Sequence, residues 1–96
     1  MLTRWTQGAA IAVGVLLLQT AAQAADPGFC ERYARTALNQ VRRGYESPGC
    51  AGRIGGNRWS NDYGRHYEWC LHVPYGAAES ERETRRRILD RCSYRG

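Results

Sequence analysis

The segment RWSNDYGRHYEWC, residues 58–70, holds two tryptophans, two tyrosines, a histidine, two acids and a cysteine in thirteen positions. On a helix running from about residue 61 to Leu71, Tyr63, Tyr67 and Cys70 fall at i, i+4 and i+7, along one face. Ser60, Asn61 or Asp62 can cap the start of that helix, and Pro74 stands beyond its end. Trp59 and His66 lie at the edge of the face, whereas Trp69 points roughly 100° or more away from the neighbours of Cys70 on a 3.6-residue wheel. An aromatic row that ends on a cysteine is the pattern of a short helix stapled into a core.

The flanks continue the helical reading. In DPGFCERYARTALNQVRR, residues 26–43, Cys30, Tyr33, Ala34, Ala37, Leu38 and Val41 recur at i, i+3, i+4, i+7, i+8 and i+11. Asp26 caps this helix, Pro27 suits its first turn, Arg42 and Arg43 complement its dipole, and Gly44 can close it. Residues 44–58 read as loop, because glycines, a proline and an asparagine interrupt every few positions. Gly49, Gly52, Gly55 and Gly56, with Arg53 and Arg58, resemble an anion cradle only weakly, since no strand precedes them. Residues 77–92 read as a further helix, with Glu81–Arg85 and Glu83–Arg87 in the favourable i, i+4 order. Ala78, Leu89 and Cys92 share a stripe with Arg82 and Arg85, so its apolar face is thin.

Four cysteines, Cys30, Cys50, Cys70 and Cys92, are spaced by 20, 20 and 22 residues. Without a C-x-x-C pair they suit neither a structural zinc site nor a thioredoxin-like redox site. They read as a disulfide framework, for which three connectivities exist. In an up-down-up arrangement Cys30 begins the first helix where Cys70 ends the second, and Cys50 and Cys92 meet at the other end. The expected pairs are therefore Cys30–Cys70 and Cys50–Cys92.

Residues 1–24 carry one early cation, Arg4, then an apolar run over residues 10–18 and the triplet Ala22-Gln23-Ala24. This is the layout of a secretory signal peptide, with a run too short to cross a bilayer, which takes about 20 apolar residues. Cleavage leaves one domain, residues 25–96, in the periplasm or secreted, with no stable membrane insertion. So short a chain needs its disulfides as staples. All fourteen cations are arginine, and the thirteen that outlast cleavage against nine acids leave a net charge of +4. An arginine-only cation set beside abundant alanine and glycine suits a GC-rich genome, and its guanidinium forks suit carboxylates and phosphates.

A hydrolase would use His66 as base, Asp62 as its orienting group and Ser60 as nucleophile. Ser60 and His66 stand on different sides of the helix, so nucleophile and base are out of mutual reach. No enzyme activity, cofactor or metal is expected, and nucleic acid is an unlikely partner for an exported chain with nine acids among its arginines. A binding surface fits better than an enzyme, since Trp69 and Trp59, with Arg58, Arg65 and His66, could stack on sugars or hold anionic groups. Yet so short a chain must build its core from its aromatics. Trp59, Tyr67 and Trp69 are therefore expected to be core first, with Trp69 the one best placed to face outward.

FCERYARTALNQ, GCAGRIGGNRWSNDYGRHYEWCL and ERETRRRILDRC together resemble a family of small exported proteobacterial proteins. Its pattern is a C-x-x-YA helix, a glycine-bounded cysteine, an RWS-x-DY-x-x-H-x-x-WC segment and a last cysteine after an Arg-rich helix. The resemblance spans residues 29–92. It implies fold and export, and it carries no activity onto these residues. The expected protein is a small all-α, three-helix domain held by two disulfides. Its expected role is that of a structural or interaction module for a protein or an anionic envelope component, or alternatively of a cell-wall glycan binder using Trp69 and arginines.

Overall fold

The computed structural model describes residues 24–94; apart from Ala24, the expected signal peptide lies outside them. Four α-helices follow in order: α1 (Pro27–Glu46), α2 (Pro48–Ala51), α3 (Tyr63–Leu71) and α4 (Tyr75–Ser93), with a 3-10 turn at Asn57–Trp59 before α3. The three expected long helices are present, and α1 packs against both α3 and α4.

Each helix starts where its chemistry dictates. The Asp26 carboxylate accepts the Phe29 N–H at 2.8 Å, with Pro27 in the first turn. Asp62 is the cap of α3, accepting the Gly64 N–H at 2.9 Å. α4 begins two residues earlier than the expected residue 77, directly after Pro74, and Ser93 belongs to it rather than to a frayed tail.

Two corrections arise between residues 44 and 58. Gly44 does not end α1; it is buried inside the helix, which continues to Glu46. A β-carbon there would lie 2.5 Å from Ile54 Cδ1 and 3.3 Å from Leu89 Cδ2. Glycine thus serves close packing rather than termination. The expected loop also contains α2, a single turn opened by Pro48, which seats Cys50.

The disulfides are Cys30–Cys70 and Cys50–Cys92, with Cα–Cα distances of 5.6 and 4.9 Å. They agree with the topology expected from the sequence. Each anchors one apolar cluster. Around the first lie Ala25, Tyr33 and Ala78, with Phe29, Tyr67, Leu71 and Val73 against them. Around the second lie Val41, Trp59 and Leu89, with Ile54 and Ile88. Between the clusters the buried positions are small or polar: Ala34 and Ala37 of α1, then Gln40 and Arg85. The core therefore has two apolar ends and a polar waist.

The Ala25 N–H donates to the Val73 carbonyl at 3.0 Å, which holds the start of the described chain against the α3–α4 turn. On α4 both expected ion pairs form, Arg85–Glu81 at 3.6 Å and Arg87–Glu83 at 3.7 Å. Among the described residues no helix is long and apolar enough to cross a membrane. Two disulfides indicate folding in an oxidising environment.

Candidate functional site

The 58–70 segment divides into residues that look inward and residues that look outward, though not entirely as the wheel suggests. Trp59 is 5 % exposed and His66 4 %. Tyr63, expected inside, is exposed and stacks on the half-buried Tyr67, with ring centroids 6.0 Å apart. Tyr63, Gly64 and Arg65 are all exposed, so the inward face begins at His66 rather than at Tyr63. Trp69 is 40 % exposed, and part of its indole rests on Tyr33 at 5.7 Å between centroids.

Inward and outward residues together border a cleft of about 570 Å³, within the range of small-molecule sites, roughly 300–1,000 Å³. α3 contributes Arg65, His66 and Trp69, and α4 contributes Glu81 and Arg85. Tyr33 comes from α1, and the turn before α3 supplies Asn57, Arg58 and an edge of Trp59. Gly56, at φ +84°, lets the chain reverse into that turn, a backbone conformation that favours glycine. All five candidates from the sequence, Arg58, Trp59, Arg65, His66 and Trp69, meet at this one cleft.

Arg85 forms its floor. Its side chain is 1 % exposed. Nε donates to Gln40 Oε1 at 2.7 Å, Nη2 to the Tyr33 hydroxyl at 2.9 Å and Nη1 to the Arg58 carbonyl at 3.3 Å. Gln40 is itself oriented by its Nε2, which donates to the Arg82 carbonyl at 3.1 Å. The Arg85 guanidinium is hydrogen-bonded chiefly to neutral acceptors. The carboxylate of Glu81, 3.6 Å away, is shared with Arg58, which holds it at 2.5 Å. Burying a charge with so little neutralisation is costly, and three of the five guanidinium N–H donors offset that cost through hydrogen bonds. Burial raises the pKa of the Tyr33 hydroxyl and keeps it protonated.

His66 Nε2 lies 2.7 Å from the Ser60 carbonyl oxygen, which can only accept, so that nitrogen carries the proton in the neutral ring. Burial lowers the pKa of His66, and nearby Arg85 adds to the effect against the opposing pull of the Ser60 carbonyl. A neutral His66 pins the turn carrying Arg58 onto α3. Of the two residues a hydrolase reading would pair with His66, Asp62 caps α3 and Ser60 Oγ accepts the Asp62 N–H at 3.1 Å.

The charge balance of the cleft is three guanidinium groups against one carboxylate. Arg65 forms no ion pair among the described residues; its Nη1 reaches Asn57 Oδ1 at 3.5 Å. Arg65 and Trp69 are i and i+4 on α3, neighbours on one face. Chemically the cleft offers a fixed positive floor, a guanidinium that has no ion pair among the described residues, and an open indole. Among the described residues no cluster of three or more His, Cys, Asp or Glu side chains could hold a metal ion.

Arg85, Glu81 and Tyr33 were not singled out as site residues from the sequence. For Arg85 a partial signal existed: it shares the stripe of Ala78, Leu89 and Cys92, but so does Arg82, whose side chain is 40 % exposed, so the stripe alone does not single it out. Comparison with protein-family models, with curated proteins and with solved structures finds no match to this chain.

Proposed function

We propose that the protein is an exported, periplasmic or secreted interaction module that holds an anionic group of a cell-envelope component in the Arg58–Arg65–Arg85 cleft. The observation that carries this reading is the convergence of three guanidinium groups, one fully buried, on a cleft with a single carboxylate. Guanidinium forks bind carboxylate and phosphate bidentately, and a charge already desolvated and held in place loses little on binding. The signal-like residues 1–24 and the disulfides support delivery to the envelope.

Co-sedimentation of the oxidised protein with isolated cell envelope tests the proposal. Retention is expected at about 50 mM salt and release near 0.5 M, where screening shortens the reach of charge to a few ångströms. The double variant Arg58→Ala/Arg65→Ala should stay in the supernatant at both salt concentrations. Equal retention of the double variant would refute the role of the cleft.

A further inference from the structure

The anionic reading leaves the open indole beside Arg65 unexplained. Trp69 is 40 % exposed and borders the cleft, while Tyr33 supports part of its ring from within. A large apolar surface held open next to an arginine that has no ion partner among the described residues asks for a ligand with two different ends. One end must be flat and weakly polar, to lie on an aromatic face. The other must be an oxyanion, to meet a guanidinium one helical turn away.

We infer that the ligand is a sugar ring bearing an anionic substituent, a carboxylate or a phosphate outside the ring. Its ring lies on Trp69, and its anion meets Arg65 and Arg58 above the fixed charge of Arg85. One face of a pyranose presents a patch of C–H bonds with partial positive charge, which suits the negative face of an indole. Glu81 limits the choice further. It already holds Arg58 at 2.5 Å from one wall of the cleft, so an incoming anion must share that arginine or displace the carboxylate. A bare anion has only charge to compete with Glu81, whereas an anionic sugar adds its ring contact on Trp69. This inference rests on the anionic-cleft reading and specifies its ligand.

The test is an NMR titration of the exported, oxidised protein with D-glucuronate, glucose 6-phosphate, glucose and inorganic phosphate, each to about 50 mM. Glucuronate or glucose 6-phosphate should shift the Trp69 indole N–H and the Arg65 guanidinium N–H together. Either should bind about tenfold more tightly than both glucose and inorganic phosphate. Comparing the two anionic sugars tells a carboxylate from a phosphate ligand. Arg65→Gln, an exposed change that breaks no ion pair among the described residues, should reduce anionic-sugar binding to the level of glucose. Trp69→Ala should reduce it to the level of inorganic phosphate. Inorganic phosphate binding as tightly as glucose 6-phosphate would overturn the sugar inference and leave the anionic cleft standing. Glucose binding as tightly as glucuronate, unaffected by Arg65→Gln, would overturn both. No shift at Trp69 or Arg65 with any probe, while salt-sensitive envelope retention persists, would overturn the sugar inference alone.

Discussion

At the scale of single residues, Arg85 decides how the waist of the protein is built. Its guanidinium gathers Tyr33, Gln40 and the Arg58 carbonyl, tying α1, α4 and the turn before α3 to one buried point. Arg85→Met keeps the volume but orphans those acceptors, and should cost about 3 kcal/mol in urea unfolding. Arg85→Lys should recover little, because an ammonium cannot reach all three in the geometry of a planar fork. A loss under about 1 kcal/mol for Arg85→Met would show the network to be incidental. His66 is the residue whose charge matters in the mildly acidic range. The folded state depresses its pKa, so it holds fewer protons there than the unfolded chain, whose histidine titrates near about 6.5. Its stabilising contribution is fully present above about pH 7 and fades as pH falls through about 6.5 and below. The depressed carboxylates Asp26 and Glu83 act only below about pH 4.5, so the two windows separate. Melting temperature should therefore decline between about pH 7 and pH 5 in the wild type, and His66→Gln should flatten that decline.

At the scale of elements, the fate of Gly44 shows what a helical wheel can and cannot say. Its place after Arg42 and Arg43 suits a helix end, and only the approach of Ile54, Leu89 and Trp59 reveals why a side chain is excluded. Gly44→Ala gains about 1 kcal/mol of helix propensity, yet it drives a methyl group into Ile54 and crowds Leu89. The net effect should be a loss of about 1 kcal/mol, and Ile54→Val, which removes the closest atom, should restore most of it in a double-mutant cycle. Additivity of the two changes would show that the contact is not responsible. The starts of α1 and α3 were legible because Asp26 and Asp62 act within a few residues of their own sequence. The same holds for the glutamate–arginine pairs of α4. α2, pinned through Cys50 to Cys92, and the inward turn of His66, which meets Tyr33, depend on partners from distant elements, and local periodicity does not record those. The candidate site was half legible for the same reason. Arg58, Trp59, Arg65, His66 and Trp69 belong to one segment, whereas Tyr33, Glu81 and Arg85 join them only through the packing of α1 and α4.

At the scale of the whole molecule, the architecture is two disulfide-anchored apolar clusters joined by a polar waist that opens into the cleft. The bridges span sequence separations of 40 and 42 residues. Each contributes at most about 4 kcal/mol by restricting the unfolded chain. A domain of this size seldom has stability to spare beyond that, so removing either bridge by paired Cys→Ala changes should cost about 3 kcal/mol, and reduction of both should abolish cooperative melting. A cooperative melt in the fully reduced protein would disprove the stapled account. The waist follows from the same economy: a short chain that places its apolar residues around its cysteines leaves arginine, tyrosine and glutamine for the middle, where a cleft can form. The central claim is that one segment serves as core and as site, with Trp59 in the first role and Trp69 in the second. Parallel measurement of melting temperature and envelope retention for Trp59→Ala and Trp69→Ala tests it most directly. Trp59→Ala should destabilise by about 3–5 kcal/mol. Trp69→Ala should lower melting by no more than about 8 °C and reduce retention by the folded protein about tenfold. If Trp69→Ala unfolds the domain as Trp59→Ala does, or folds and is retained like the wild type, the division of the segment into core and site is wrong.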